Sequence, residues 1–349
     1  MPDINGIKDY LRNYDGEKQV IMEVCGTHTA SISENGIADM LSPKIRLISG
    51  PGCPVCVTVA SYIDRLTELS LTADTTVVTF GDMLRVRGSE YSLRDAAAQG
   101  ASVRMIYSPF EIIKMAKEQP DKQFVFAAVG FETTTPAYAL LVEQLIKDKI
   151  KNIRLLTALK TMPEAIRTVY KSGTEITGFL APGHVSVITG HRLFEKLARE
   201  LNVPFVTSGF KGAELLAAVY ALVKLSGGRS LNLYPSVVTY EGNATAQETV
   251  NRYFTPCDAA WRGMGIIKGS GMRLRDEYAE FDAGSHELTQ DKMFNGACCC
   301  GDVICGRKSP DECPMFGKSC TPDTPQGACM VSTEGSCFHY YINGRKGNY

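Results

Sequence analysis

A surplus of charge of either sign is missing from this sequence, as is any long run of apolar residues. Lysine and arginine number 37 against 38 aspartate and glutamate, which leaves a net charge of −1. This balance gives no reason to expect a nucleic acid or an anionic membrane as partner. The longest apolar segment, at 213–225, contains Glu214 and Lys224 and is too short to span a bilayer. The polar start of the chain has no apolar signal core, so we expect a soluble cytoplasmic protein.

Phosphate-binding loops are missing as well. No segment matches the GxxxxGK[ST] pattern, in which backbone N–H groups cradle a nucleotide's phosphates. The glycines at 263–269 have neither the spacing nor the flanking strand and helix of a dinucleotide-binding loop. The sequence therefore does not support nucleotide binding.

Cysteine, in contrast, is plentiful. The chain has 349 residues and 12 cysteines, of which eight lie between 298 and 337. A secreted disulfide scaffold would need an export signal and is usually far smaller. The cysteines therefore favour metal binding or redox chemistry in a reducing compartment.

Short apolar runs alternate with helical patterns from residue 20 to about 208, which predicts an α/β fold with parallel sheets covered by helices on both faces. We expect two such domains, at 1–120 and 121–230, with approximate and possibly discontinuous boundaries because no Pro- or Ser-rich linker marks them. A cysteine-rich, turn-rich segment, 231–349, follows and needs a staple such as a metal cluster to fold. The predicted strands are 20–24, 45–49, 76–80, 102–106, 124–129, 153–159, 177–181 and 204–208.

Polar, reactive and glycine-rich residues follow five of these predicted strands. In open α/β sheets, ligands bind beyond the carboxyl ends of the strands, so these segments indicate one shared cleft. They are CGTHT at 25–29, CPVC at 53–56, GDM at 81–83, GFETTTP at 130–136 and PGHVS at 182–186.

Cys53 and Cys56 lie between a predicted strand and a predicted helix. Three interpretations are open: a buried structural pair, a metal knuckle, or a redox dithiol. The knuckle has no second CxxC outside the crowded tail to complete it. The dithiol is favoured because Pro54 stiffens the turn and a helix N-terminus lowers the pKa of nearby thiols.

Cys25 follows a predicted strand directly, with His28 three residues later. At an exposed sheet end the thiol is a candidate soft metal ligand or nucleophile, although a lone cysteine can also be inert core. His28 is a candidate catalytic residue, although a lone histidine is more often a hydrogen-bonded structural residue. Glu132 could carry a proton or hold a ligand, and the same argument applies more weakly to His184 and Asp82.

The cysteine-rich tail is the strongest metal signal. Thiolates separated by turn-rich segments suit an iron–sulfur cluster. Zinc is the alternative, but structural zinc sites favour paired knuckles with two to four residues between the cysteines.

Taken together, the motifs resemble the HypD family of [NiFe]-hydrogenase maturation factors. The resemblance extends over essentially the whole chain and departs from the family pattern at Ala30, where a second histidine often stands, and at Arg87, where a proline is usual. The matching segments are CGTHT (25–29), SGPGCPVCVT (49–58), TFGDMLRV (79–86), VGFETTTP (129–136), APGHVS (181–186) and CPMFGKSCTPDTPQGACMVSTEGSC (313–337).

The resemblance implies a role for each cysteine site. Cys25 would hold the iron of an Fe(CN)2CO unit, with Fe(II), cyanide and carbon monoxide as cargo. Cys53 and Cys56 would cycle between dithiol and disulfide. The partners implied are a HypC-like small chaperone and a HypE-like cyanide donor. A C-x14-C-x6-C-x16-C pattern would supply the ligands of a [4Fe-4S] cluster, namely Cys298, Cys313, Cys320 and Cys337.

Two functions outside this assembly role stay open. The first is a stand-alone thiol–disulfide oxidoreductase, in which a cluster reduces the Cys53–Cys56 disulfide. The second is a zinc-stapled binding protein. The assembly role requires all three cysteine sites to meet at one cleft, so the distances between them test it.

Overall fold

A computed structural model describes residues 3–292 and 295–343. The strands are β1 (Gln19–Glu23), β2 (Ile45–Ser49), β3 (Thr75–Thr79), β4 (Val103–Met105), β5 (Gln123–Gly130), β6 (Ile153–Lys160), β7 (Gly178–Ala181), β8 (Phe205–Thr207), β9 (Ser230–Asn232), β10 (Phe254–Trp261) and β11 (Gly265–Leu274). The helices are α1 (Ile4–Arg12), α2 (Gly26–Glu34), α3 (Ala60–Leu71), α4 (Leu93–Ala98), α5 (Glu111–Glu118), α6 (Thr135–Lys147), α7 (Met162–Lys171), α8 (Gly183–Thr189), α9 (His191–Leu201), α10 (Gly212–Lys224), α11 (Ala244–Tyr253), α12 (Cys300–Ile304), α13 (Ala328–Val331) and α14 (Ser336–Ile342). Short 3-10 segments lie at Ala38–Met40, Gly81–Arg85, Asp276–Phe281 and Pro310–Glu312.

The described strands form two sheets. The first has the order β2-β1-β7-β8-β9, and its pairings are all parallel. The second has the order β10-β11-β6-β5-β3-β4, in which β6, β5, β3 and β4 pair in parallel and the β10–β11 hairpin is antiparallel. The predicted α/β fold with two parallel-dominated sheets and a cysteine-rich C-terminal region is therefore confirmed.

Both faces of each sheet are buried. Along β1, Ile21 belongs to one apolar core and Met22 to another, and along β5 Val125 and Phe126 divide in the same way. Such two-sided burial explains why these strands are nearly continuous apolar runs. The core that contains Met22 also contains Cys53, Cys56 and cysteines of the C-terminal region, so these two cysteine segments share one core.

The eight predicted strands are all present. The β10–β11 hairpin and β9 were not predicted, because glycines interrupt β11 and β9 has only three residues. The chain crosses between the sheets after β2, after β6 and after β9. The domain bounds at 120 and 230 stay a prediction.

Membrane insertion was not expected from the sequence. Among the described residues, no helix combines the length and apolar character that crossing a bilayer requires.

Candidate thiol and metal site

Cys53 and Cys56 lie in the turn between β2 and α3, where they form a disulfide with Cα atoms 5.3 Å apart. Both residues are buried. The helix itself begins at Ala60 with Val59 as its N-cap, so the positive end of the helix lies beyond the cysteine turn. The disulfide therefore lies in a buried turn.

The turn is in backbone contact with Cys25. Parallel pairing of β1 with β2 sets Glu23 opposite Ser49, which brings the two strand ends side by side. The N–H of Gly26 then donates to the carbonyl of Gly52 at 3.1 Å. A Cβ on Gly52 would lie 2.6 Å from the Cα of Cys25, so only glycine fits there. The CGTHT and GPGCPVC motifs therefore form one site.

A buried glutamate that the sequence analysis did not select lies beside Cys25. Glu23 Oε2 accepts the N–H of Cys25 at 2.9 Å, and Oε1 accepts the hydroxyl of Thr29. Burial raises the pKa of Glu23 to about 7, although these hydrogen bonds act in the opposite direction. The signal for it was an acidic residue inside the otherwise apolar run VIMEV.

Cys25 is the N-cap residue of α2 and is buried. Burial raises the pKa of its thiol to about 12, and the nearby carboxyl groups of Glu23 and Glu334 act in the same direction. The backbone N–H groups of His28 and Thr27 lower it in part. In the metal-free chain the thiol is therefore protonated at neutral pH, and a thiolate at this position needs a bound cation.

Glu334 connects the C-terminal region to the start of α2. Its Oε1 accepts the hydroxyl of Thr27 at 3.2 Å, and its side chain packs against Gly26. Burial raises the pKa of this carboxyl group above its ordinary value. It also lines a small cavity with Cys53, Cys56 and Cys329. No feature of the sequence distinguished this residue, because the contact depends on a fold over some 300 positions.

His28 lies in the same helix as this site but binds a different element. It is fully buried, and its Nε2 donates to the carbonyl of Gly209 at 3.1 Å. Burial lowers the pKa of the ring to about 4, so the ring is neutral. His28 and His184 each pack on Phe210, with ring centroids 4.8 and 4.1 Å away. Its contacts tie α2 to the loop after β8.

Glu132 caps a helix. Its Oε1 accepts the N–H of Met162 at 2.9 Å, at the start of α7. Burial raises the pKa of Glu132 to about 7. Among the described residues its Oε2 has no hydrogen-bond partner. The contacts of this carboxyl group thus place it at α7.

The cysteines of the C-terminal region converge. Hydrogen bonding to Cys300 together with burial raises the pKa of Cys298, and burial raises that of Cys320. A cavity lined by seven thiols and apolar side chains has the donor chemistry of an iron–sulfur cluster. Within residues 3–292 and 295–343, however, no three His, Cys, Asp or Glu side chains already stand in the arrangement of a metal site. The cysteines that line the cavity are Cys298, Cys299, Cys300, Cys313, Cys320, Cys329 and Cys337.

Helix α13 separates this cysteine cavity from the disulfide. Cys56 Sγ lies 3.9 Å from the carbonyl oxygen of Ala328, the first residue of α13. The next residue, Cys329, lines both the cysteine cavity and the small cavity beside the disulfide. Its sulfur is 3.0 Å from that of Cys300. The disulfide and the cysteine cavity are therefore in contact through one short helix.

Comparison with known proteins identifies the family of this chain. A family model named HypD and described as hydrogenase formation hypA family matches residues 4–344. The chain belongs to the HypD family.

Hydrogenase maturation factors named HypD are similar to this HypD-family chain over most of their length. The one from Azotobacter vinelandii is 40% identical over 339 residues, which cover 93% of this chain and 89% of that protein. The one from Cupriavidus necator is 39% identical over 347 residues, covering 95% and 91%. The one from Rhizobium leguminosarum bv. viciae is 38% identical over 356 residues, covering 98% and 91%.

The TFGDMLRV motif of this HypD-family chain contacts the C-terminal region. Asp82 accepts the hydroxyl of Ser332 at 2.9 Å. Arg85 donates to the carbonyls of Pro322 at 3.3 Å and Val331 at 3.0 Å. Sequence reasoning gave Arg85 no role, although its charge inside an apolar motif was a signal. Both side chains therefore bind the C-terminal region, in which the cysteines of the thiol-lined cavity lie.

Proposed function

We propose that this HypD-family chain is a scaffold for hydrogenase maturation. It holds one iron at Cys25 while cyanide and carbon monoxide are attached to form an Fe(CN)2CO unit. Cys53 and Cys56 act as a redox dithiol, and Cys298, Cys313, Cys320 and Cys337 are the ligands of a [4Fe-4S] cluster. The chain works in the cytoplasm with a HypC-like small chaperone and a HypE-like cyanide donor.

One observation carries the proposal: Gly26, the residue after Cys25, forms a backbone hydrogen bond with the cysteine turn, while the disulfide of that turn contacts α13. Gly26 donates to Gly52 on one side, and Cys56 Sγ lies 3.9 Å from Ala328 on the other. An iron ligand, a dithiol and a thiol-lined cavity are thus neighbours without any movement of the sheets. This adjacency is what an assembly site with its own reductant needs.

The cargo iron suits Cys25 because a bound cation offsets the negative charge that burial disfavours at this site. The thiol is buried beside two carboxyl groups whose pKa values are raised, those of Glu23 and Glu334. When Fe(II) binds, the thiol releases its proton and the thiolate gains a cation as partner. Soft thiolate ligation suits the low-spin Fe(II) that cyanide and carbon monoxide produce.

Reduction of the Cys53–Cys56 disulfide takes up two electrons and two protons and yields two thiols. A [4Fe-4S] cluster, when bound, supplies electrons singly. The residues between the two are Ala328 and Cys329 of α13, together with Cys300, whose sulfur is 3.0 Å from that of Cys329. The residues of this chain exclude water from the path between the cysteine cavity and the disulfide, and they keep the sulfurs in fixed positions.

The test is infrared spectroscopy and iron analysis of the chain purified with its partners. We expect bands of bound cyanide and carbon monoxide that Cys25→Ala removes. Cys257→Ala, a change on the β10–β11 hairpin, is the matched control and should keep them. Bands that persist in Cys25→Ala would contradict the assignment of the iron to Cys25.

A stand-alone thiol–disulfide oxidoreductase is the second candidate. It is favoured by the formed Cys53–Cys56 disulfide beside a thiol-lined cavity, an arrangement that does not involve Cys25. If this function is correct, Cys25→Ala retains the reduction of small disulfide substrates, whereas Cys53→Ser abolishes it. Equal loss in both variants would exclude it.

A further inference from the structure

A third cavity lies away from the cysteine site, at the carboxyl end of β6. Its volume is about 140 Å³. β6, β10 and β11 provide one wall, Val59 and Tyr62 another, and the segment 285–289 a third. The cavity volume is well below the roughly 300 Å³ at which pockets accept drug-sized ligands, so an occupant must be small.

Three residues abreast on neighbouring strands shape this cavity. Cys257 on β10 pairs with Gly271 on β11, which pairs in turn with Lys160 on β6. Paired residues of adjacent strands project to the same face. A Cβ on Gly271 would lie 3.1 Å from the sulfur of Cys257 and 2.7 Å from the Cβ of Ala259. The absence of a side chain on Gly271 therefore makes room for the thiol of Cys257 beside the strand.

Lys160 has no polar partner there. Its side chain is only 3% exposed, yet among the described residues it forms no hydrogen bond or ion pair. Its nearest assigned contact is the ring of Trp261, 5.7 Å from Nζ. The side chain lines the cavity, so its ammonium group can donate hydrogen bonds to an occupant. The lysine thus favours a ligand with an acceptor atom.

The charges around the cavity select the class of that ligand. Arg273 is bound to Asp276 at 2.5 Å and His286 lies 3.8 Å from Asp282, which leaves Lys160 as the cation without a carboxylate partner among the described lining residues. Asp258 and Glu287 also line the cavity and repel a second negative charge. The occupant is therefore small and carries a single negative charge.

We propose that this cavity binds a small monocarboxylate, whose oxygens pair with the ammonium of Lys160 and whose carbon end lies beside the thiol of Cys257. The proposal does not rest on the maturation role, because the described residues that line this cavity include neither Cys25 nor Cys53 and Cys56.

Cys257 makes the proposal testable, because its thiol is partly exposed in the same cavity. Iodoacetate and iodoacetamide alkylate thiols and differ only in that the first carries a carboxylate. We expect the ratio of their rates at Cys257, measured by mass spectrometry of the folded chain with its cofactors, to fall about fivefold in Lys160→Met. Lys268→Met, an exposed lysine on the same hairpin, is the control and should keep the ratio.

Acetate and phosphate distinguish the ligand class. Acetate should slow the alkylation of Cys257 in the wild-type chain and in Lys268→Met but not in Lys160→Met, while phosphate should have less effect. A ratio unchanged by Lys160→Met, or equal protection by phosphate and acetate, overturns the proposal. If Lys160→Met fails to fold, the protection experiment on the wild-type chain decides alone: without acetate protection the proposal fails.

Discussion

Buried ionisable side chains differ in how their charge is compensated. Glu23 has hydrogen bonds from Thr29 and from the backbone of Cys25. Lys160, in contrast, has no such bond among the described residues, and burial lowers its pKa from 10.5 to about 8. The lysine therefore reduces stability when charged, which makes its effect measurable.

The first prediction concerns Lys160→Met. Because the folded pKa of about 8 lies below the ordinary value of 10.5, the unfolded chain binds more protons between these values. The free energy of unfolding of the wild-type chain should therefore rise with pH across this window, relative to Lys160→Met, by about 3 kcal/mol. Below pH 8 the variant should be the more stable protein, since Met is apolar and of similar length.

Denaturant titrations at pH 7 and pH 10 measure this difference. The groups that act on the pKa of Lys160 are Cys257, Arg262 and Asp291, and both proteins contain them. Because Lys160 lowers the pKa of Cys257 in turn, the difference reports the lysine together with this thiol. Lys268→Met should follow the wild-type chain at both pH values. A stability difference that does not change with pH contradicts the lowered pKa.

Residue type and position selected Cys25, Cys53 and Cys56 from the sequence, because thiols at strand ends are uncommon and the strand ends of a parallel sheet meet. The contacts of His28 and Glu132 could not be selected in this way. His28 binds Gly209, and Glu132 binds Met162, and both contacts depend on how distant helices pack. Glu334 and Lys160 gave no local signal for the same reason.

At the scale of elements, the site depends on the approach of two strand ends. Gly52 lies against Cys25 and Val24 so closely that an added methyl group meets backbone atoms, which cannot rotate away. The order of β1 and β2 in the sheet enforces this approach.

We expect Gly52→Ala to lower the free energy of unfolding by about 2 kcal/mol, because overpacking against the backbone displaces one of the two loops. It should also increase the alkylation rate of Cys25, as the loop moves. Gly296→Ala is the control, since a methyl group there meets no atom within 4 Å. Equal stability of the two variants would mean that the loops adjust without strain.

The strands could be predicted because burial on both faces produces apolar runs that are visible in the sequence. The β10–β11 hairpin was missed since Gly265, Gly269 and Gly271 interrupt its alternation. Helix α2 was missed because its sequence, GTHTASISE, is rich in Ser and Thr and has few apolar residues. Its helical state is imposed by packing against the C-terminal region rather than by local preference.

At the scale of the whole molecule, the C-terminal region has short helices and many turns, and thiols line its interior. We expect iron–sulfur loading to raise the melting temperature of the wild-type chain and to give absorption near roughly 400 nm, which zinc cannot produce. Cys320→Ser should lose both effects. Cys257→Ser, on the hairpin, should keep both.

Absorption that persists in Cys320→Ser would remove Cys320 from the ligand set. A melting temperature that loading does not change would show that the region folds without a staple. Absorption and calorimetry on the same samples separate the two results.

The crossings between the sheets determine when the site is completed during synthesis. β1 and β2 emerge first, but their sheet continues through β7, which is made more than 120 residues later. The segments that cover Cys25 and the Cys53–Cys56 turn are α13 and Glu334, and they are made much later: Ala328 follows Cys56 by 272 residues and Glu334 follows Thr27 by 307. Until these segments are made, the earliest thiols lack this cover. They become protected only when the end of the chain folds over its beginning.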